Sequence, residues 1–149
     1  MSLENDIGCL RSLPLFRDMP ASRLKLVALM GERLLFEPGA ILIHPQEKLE
    51  GVYVIMEGEV EIAHLGENGD ERRFVKDAGS ITGDVSLLSG KPFSTTISAK
   101  SRVLALRIPK DLFFELLQTV PEFSLAVCRD LADRVHRLAS ALLHEHETV

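Results

Sequence analysis

The sequence has 149 residues, of which 46% are hydrophobic and 26% charged, and its formal net charge is −5. This length and composition predict one folded domain, 1–149, of a soluble protein. The acidic balance argues against sequence-independent binding of nucleic acid, which needs a basic face. No apolar run approaches the length of a membrane span, so we expect neither nucleic acid nor a membrane as a partner of this chain.

Two features of the sequence indicate the cellular compartment. The N-terminus carries Glu4 and Asp6 where a secretory signal peptide has a basic region. The two cysteines, Cys9 and Cys128, lie far apart and belong to no Cys-x-x-Cys motif. They are typical of ordinary thiols in a reducing compartment. We therefore expect a cytoplasmic protein.

The first part of the chain, 1–32, predicts two packing helices. Apolar residues recur at helical spacing over Leu3–Leu13, and Pro14 ends that helix. Pro20 begins a second helix, which ends near Gly31. Because each apolar stripe is uninterrupted, we expect both helices to serve the core.

The next part of the chain, 33–108, consists of short alternating runs separated by glycine and proline. Gly51–Met56 predicts a buried strand, and Val60–His64 predicts an alternating strand. Turn-forming residues at Gly66–Asp70 predict a hairpin tip, with Arg72–Val75 as the return strand. Many short strands at this spacing predict antiparallel β-structure, either closed or sandwiched.

The last part, 109–146, predicts two helices. Lys110–Leu117 forms the first, and Pro121 separates it from a longer one. Apolar residues on the longer helix follow steps of four, three and four, as in a coiled-coil seam. Since a terminal helix has nothing after it to pack against, the stripe predicts a homodimer interface, formed by Leu131, Val135, Leu138 and Leu142.

A glycine-punctuated stretch in the β-region has the features of an anion site. Gly83 precedes one short helical turn, Asp84–Leu88, and the chain breaks again at Gly90 and Pro92. A glycine before a helix start lets the backbone approach a phosphate closely and offers unpaired N–H groups. Asp84 could accept a hydrogen bond from a sugar hydroxyl. The alternative is an ordinary turn that uses glycine for its dihedral angles.

Three motifs in this order resemble those of the cyclic-nucleotide-binding domain family of transcription activators and kinase regulatory subunits. They are Leu13–Arg17, Gly51–Val60, and Gly83–Leu88 followed by Pro92. The resemblance implies an α+β fold, in which an antiparallel, jelly-roll-like β-roll (a double-stranded β-helix) is flanked by N-terminal helices and a C-terminal helix pair. The last helix would be a dimerisation helix.

The resemblance also implies a ligand site, with cyclic AMP or cyclic GMP as its ligand. Asp84 stands at the family's glutamate, which takes the ribose hydroxyl, and Phe93 stands where an arginine pairs with the phosphate. A hydrogen bond to a charged group is worth roughly 1.5–3 kcal/mol, so this replacement removes a major contact. The ligand-binding residues carried over from the family motif are Gly83, Asp84, Val85, Ser86, Phe93, Ser94 and Thr95.

Two further hypotheses concern the missing arginine. Another cation could replace it, and the candidates near in sequence are Lys91, Arg72, Arg73, Lys100 and Arg102, each of which we expect to be a solvated surface charge. Alternatively, Phe93 lines a pocket for an apolar or aromatic ligand. On the last helix, Leu138 or Ala139 falls where the family places a base-contacting hydroxyl, and Ser140 is the nearest one.

No arrangement of residues indicates catalysis, so we expect no enzyme and no cofactor. His144–Glu147 could bind a divalent metal, but a flexible tail is the better interpretation because a metal site needs supporting contacts. His44 and His64 lie in predicted strands without closely spaced acidic or histidine partners. The sequence ends at Val149, which leaves no residues for a helix-turn-helix module after the long helix.

The sequence therefore predicts a regulatory module that binds a small anionic ligand and signals through its C-terminal helices to an unknown protein partner. Two alternatives stay open. The chain could be a ligand-free interaction module with a degenerate pocket. It could also be the sensor part of a transcription regulator whose DNA-binding domain lies elsewhere.

Overall fold

The computed structural model describes residues 3–65 and 68–147, with the side chains of Leu65 and 144–147 left out. Among these residues no helix is both long enough and apolar enough to cross a bilayer. The elements in chain order are α1 (Leu3–Arg11), α2 (Ala21–Met30), β1 (Glu32–Phe36), β2 (Ile41–Ile43), β3 (Gly51–Glu57), β4 (Val60–Leu65), β5 (Glu71–Lys76), β6 (Ile81–Thr82), α3 (Asp84–Ser89), β7 (Thr96–Ala99), β8 (Val103–Pro109), α4 (Lys110–Thr119) and α5 (Pro121–Glu147).

The strands form two four-stranded sheets whose strand pairs are antiparallel. The first sheet has the order β1-β8-β3-β6, and the second has the order β2-β7-β4-β5. The neighbours β1 and β2 lie in different sheets, which is how the chain closes into a roll. The predicted α+β fold, an antiparallel β-roll with helices before and after it, is confirmed. The predicted hairpin of β4 and β5 is also present, although Gly66 and Glu67 of its tip lie outside the described residues.

Strand β3 is buried on both faces of the first sheet, and this explains its continuous apolar run. Side chains on a strand alternate between faces. Val52 and Val54 pack in a first core cluster with residues of all four longer helices, α1, α2, α4 and α5. Tyr53 and Ile55 pack in a second cluster, which lies between the two sheets with Ile97 and other residues of the second sheet.

Aromatic contacts anchor the start of α5. The Phe123 ring stacks on that of Phe16 with 5.5 Å between centroids, and it meets the edge of Phe113 at 6.0 Å. Val127, one turn later, is buried as well. The helix then extends beyond this core, where Arg134 ties it to Asp84 of α3.

The predicted dimer stripe on α5 is mostly exposed. The exposed fractions of Val135, Leu138 and Leu142 are 64%, 60% and 61%. Leu131 differs from them, because it is half-buried and packs against the first core cluster. The stripe therefore begins at the edge of the core and continues into solvent, and its role in dimerisation stays a prediction.

Candidate functional site

Helix α3 is a short helix bounded by two glycines in the left-handed conformation. Gly83 precedes it with φ 91°, and Gly90 follows it with φ 73°. A side chain is strained at such φ values, so glycine suits both ends. A Cβ at Gly83 would also lie 2.9 Å from Cδ1 of Leu49. The helical turn predicted over Asp84–Leu88 is thus present, and it extends one residue further to Ser89.

The carboxylate of Asp84 is buried and paired with an arginine of α5. Its side chain is only 1% exposed, and Arg134 Nη2 donates a short hydrogen bond to Oδ2. Arg134 Nη1 lies 3.4 Å from Oδ1, and Nη2 lies 2.8 Å from Asp130 Oδ2. Burial acts to lower the pKa of Arg134, but the hydrogen bonds and charges of both carboxylates outweigh burial and raise it. This ion pair ties α3 to α5.

The other residues predicted to bind the ligand are not gathered around one cavity. Val85 is 52% exposed, and Ser94 is also exposed. Ser86 is buried, and its hydroxyl donates to the carbonyl of Lys91 at 2.5 Å. Thr95 is half-buried. The role of these residues in ligand binding therefore stays a prediction, and Asp84 would have to share its oxygens between Arg134 and a sugar hydroxyl.

Phe93 belongs to the interior of the β-roll. It is half-buried and packs against the second core cluster, to which Ile43 and Leu49 also belong. Its backbone is tied to the loop between β2 and β3, because its carbonyl accepts from the amide of Gln46. Gly83 lies beside the same cluster, because a Cβ at this position would meet Cδ1 of Leu49 at 2.9 Å and Cδ1 of Ile43 at 3.8 Å.

A groove of about 500 Å³ lies between α5 and the β4–β5 hairpin. Its floor includes Ile62 and Phe74, which are directly opposite each other on the two strands. We call it the α5 groove, and its lining residues are Ile62, Phe74, Val75, Lys76, Asp77, Ser80, Ile81, Asp130, Arg134, Arg137, Leu138 and Ala141. The groove therefore has an apolar floor and a charged rim, and it shares Arg134 with the Asp84 ion pair.

Lys76 is a partly buried cation at the end of β5. Its Nζ donates to the carbonyl of Ile81 at 3.0 Å. Burial is the largest effect on the pKa of Lys76 and lowers it from the ordinary 10.5. The positive charge of Arg134 lowers it further, whereas Asp84 acts in the opposite direction. Nothing in the described chain forms a salt bridge with this ammonium.

A second cleft, of about 400 Å³, lies on the other side of α3 beside the start of α4. Three lysines line it, namely Lys48, Lys91 and Lys110, and Lys110 pairs with Glu50 at 3.2 Å. Ser86 also faces this cleft. The predicted site residues are thus divided, since Asp84 is turned towards α5 and Ser86 towards the second cleft.

The cations considered as replacements for the arginine lie at other places. Arg73 pairs with Glu61 and with Glu71 on the exposed face of the β4–β5 hairpin. Arg102 pairs with Glu37 at 3.7 Å, and both side chains are mainly exposed. These pairs agree with the expectation that such charges are surface charges. The cations that do approach Asp84 are Arg134 and Lys76, which sequence reasoning missed.

Both missed residues have a weak signal in the sequence. Lys76 continues the alternation of Phe74 on β5, so it shares a strand face with an apolar residue. Arg134 lies one helical turn after Asp130 and interrupts the apolar pattern of α5. Neither signal shows that these residues approach Asp84, because Arg134, for example, is 50 residues away from it in the sequence.

No metal centre is found in the part of the chain that the structure describes, where no three histidine, cysteine or acidic residues could hold an ion. The histidines of His144–Glu147 have side chains outside the described residues. The hypothesis that this segment binds a metal therefore stays a prediction from the sequence.

The family of the chain follows from its sequence relatives. Residues 33–120 match the family model of the cyclic nucleotide-binding domain, which is more than half of the chain. The chain belongs to this family of sensor and regulatory domains. A cAMP-dependent protein kinase regulatory subunit of Blastocladiella emersonii is 31% identical over 110 residues. That match covers 72% of this chain and 27% of the relative, so the chain spans about a quarter of the relative's length.

Solved structures share the fold at low identity. The sensor domain of the transcriptional regulator DNR from Pseudomonas aeruginosa superposes with a TM-score of 0.78 at 19% identity, covering 93% of both chains. The catabolite activator protein of Thermus thermophilus gives a TM-score of 0.76 at 21% identity, covering 87% of this chain and 61% of that one. The arrangement of β-roll and C-terminal helix is therefore common to proteins that differ widely in sequence.

We expect the Asp84–Arg134 pair to be strongly coupled. Arg134→Met should lower the free energy of unfolding by about 3–5 kcal/mol, because it leaves a buried carboxylate without a partner. Asp130→Asn, which removes only the half-exposed partner, should cost less than about 1 kcal/mol. In the double variant Asp84→Asn/Arg134→Met, much of the stability should return. Urea unfolding of the four proteins measures these differences, and equal losses in the two single variants would contradict the coupling.

The lowered pKa of Lys76 gives a stability difference that depends on pH. Between its folded-state pKa and 10.5, the unfolded chain binds more protons at this residue, so its contribution to stability rises with pH. Lys76→Met removes this contribution. It also removes the hydrogen bond to the carbonyl of Ile81, but that carbonyl does not titrate. The stability of the natural protein relative to Lys76→Met should therefore increase from pH 7 to pH 10.5. Urea unfolding at matched pH measures it, and a decreasing difference would show that Lys76 is not buried as a cation.

Proposed function

We propose that this chain is a ligand-responsive regulatory module that binds a small anionic molecule in the α5 groove and reports binding through α5. The observation that carries this proposal is the buried pair of Asp84 and Arg134. It joins α3, the helix that carries the family's ligand motif, to the helix that forms one wall of the groove. A ligand that competes for either group changes what holds α5 against the roll.

The size and composition of the groove support a small ligand with an apolar part. Its volume, about 500 Å³, lies within the range of small-molecule sites. Ile62, Phe74 and Leu138 give it apolar surface, and Lys76, Arg134 and Arg137 give it hydrogen-bond donors. Cyclic AMP and cyclic GMP combine an aromatic base with one negative charge, and the family and the cAMP-dependent relative make them the first candidates.

We also propose that two copies of the chain associate through α5. Apolar side chains of the helix that do not face the roll are left exposed, with Val135 at 64% and Leu142 at 61%. Soluble proteins seldom leave a long apolar stripe open to water, and its steps match a coiled-coil seam. Leu138 lies both on this stripe and in the groove. A ligand would thus lie beside the dimer seam and could alter it.

A second candidate function is a module that associates through α5 without any ligand. Phe93 favours it, because the position where family members have a phosphate-pairing arginine is occupied by a ring packed on the core. The two functions differ in one observable property. A ligand-responsive module gains stability when a cyclic nucleotide is added, whereas a ligand-free module does not.

Thermal unfolding with a panel of ligands tests the proposed function. The panel contains cyclic AMP, cyclic GMP, a cyclic dinucleotide and inorganic phosphate. A ligand at a hundred times its dissociation constant should stabilise the protein by roughly 2.7 kcal/mol. We expect a cyclic nucleotide to raise the melting temperature and phosphate alone to leave it unchanged. If no member of the panel raises it, cyclic nucleotides are not the ligand, and the ligand-free module is favoured over a cyclic-nucleotide sensor.

Sedimentation analysis tests the association through α5. Val135→Glu and Leu142→Glu each place a charge on the apolar stripe without touching the groove, so either change should convert a dimer to a monomer. Ser140→Glu adds the same charge on the opposite side of the helix and should leave the dimer intact. A dimer that survives both stripe substitutions would place the interface elsewhere, and loss of the dimer in Ser140→Glu would indicate a nonspecific effect of charge.

A further inference from the structure

The hydrogen-bond donors around the α5 groove outnumber the acceptors that they reach. Lys76 has three N–H donors and uses one, on the carbonyl of Ile81. Arg134 Nε is buried and has no partner in the described residues. Among the described residues, Arg137 reaches only the carbonyl of Asp133, at 3.4 Å, and that contact lies along its own helix. Buried polar groups are normally paired, so the buried Arg134 Nε and the spare donors of the half-buried Lys76 leave room for acceptors from outside the chain, and the exposed Arg137 adds a cation at the rim.

Two of the carboxylates near the groove are already committed to an arginine. Asp84 and Asp130 both bind Arg134, so this arginine is neutralised by the protein itself. Lys76 and Arg137 form no salt bridge among the described residues, although they are close enough for the charge of Arg137 to lower the pKa of Lys76. The groove is lined by three cations, Lys76, Arg134 and Arg137, and by two carboxylates, Asp77 and Asp130, so it keeps one excess positive charge (3 − 2), which favours an anion beside Lys76 and Arg137.

An apolar surface lies beside these two cations. Phe74 and Lys76 are two residues apart on β5, so their side chains share one face of the strand. Ile62 lies directly opposite Phe74 on β4, and Phe74 is 51% exposed. A ring or hydrocarbon placed on this floor would bring an attached charge to the rim where Lys76 and Arg137 lie.

We propose that Lys76 and Arg137 form an anion seat in the α5 groove, which takes the anionic group of a ligand whose apolar or aromatic body rests on Phe74 and Ile62. This inference rests on the proposed use of the groove for ligand binding. It names cations that the family motif does not include. They act from the α5 side of the roll, whereas the position of the missing arginine, Phe93, is half-buried against the core cluster between the sheets.

A pair of dyes tests the seat without knowledge of the natural ligand. Anilinonaphthalene sulfonate carries one negative charge, and phenylnaphthylamine is its neutral counterpart with the same aromatic body. Arg137→Gln should weaken the sulfonate dye about tenfold or more, the usual value of a charge-assisted hydrogen bond, and should leave the neutral dye unchanged. Lys76→Gln should do the same, and Arg137→Lys should retain the affinity. Lys100→Gln, in the turn between β7 and β8, is the control for a general loss of positive charge.

Two substitutions on α5 show whether the dyes are in the groove. Ala141→Trp fills the groove and should weaken both dyes, whereas His136→Trp, on the side of the helix turned away from the groove, should weaken neither. Because Arg137 is exposed, Arg137→Gln is expected to fold normally, so the test does not depend on the half-buried Lys76.

The outcomes separate the anion seat from the proposed function. If both dyes bind in the groove but Arg137→Gln and Lys76→Gln leave the sulfonate dye unaffected, the seat is overturned and the groove remains a ligand site. If Ala141→Trp changes neither dye, the groove is not a ligand site, and both proposals fail. If the sulfonate dye depends on both cations while no cyclic nucleotide stabilises the protein, the seat stands and only the proposed cyclic-nucleotide ligand is wrong.

Discussion

The position of α5 depends on one buried carboxylate. Asp84 has almost no access to water, and a charge in that position is tolerated only with a partner. Arg134 supplies the partner and reaches it from α5, while Phe123 fixes the start of the same helix in the aromatic core. These two attachments hold the helix across the β-roll. The α5 groove and the direction of the exposed stripe both follow from them.

The sequence predicted what depends on local patterns. The alternation in β4 and β5, the unbroken apolar run of β3 and the glycines around α3 each occupy only a few residues, and each prediction was confirmed. The sequence did not predict which charges would meet. Arg134 is 50 residues from Asp84, and Lys76 meets both only after the hairpin folds beneath α5. Such contacts depend on topology, which no local pattern contains.

This chain has the backbone features of the family motif but lacks its charged side chain. The backbone features of the motif, the left-handed Gly83 and the short helix α3, are intact. The phosphate-pairing side chain is replaced by Phe93, which contributes to the core between the sheets. Solved structures at about 20% identity share this β-roll, and in this chain the roll forms with Phe93 at that position. The fold therefore leaves room for the charge that binds a ligand to come from another direction.

A cation on α5 has a consequence that a cation inside the roll does not have. An anion bound by Arg137 touches the helix that carries Val135 and Leu142, which lie two residues before and five residues after it. Leu138 belongs to the groove and to the stripe at once, so its environment changes with ligand binding and with association. Coupling between two binding events is reciprocal. If a ligand changes the association constant of two copies by a given factor, association must change the affinity for the ligand by the same factor. The helix α5, which both events share, would be the physical basis of this coupling.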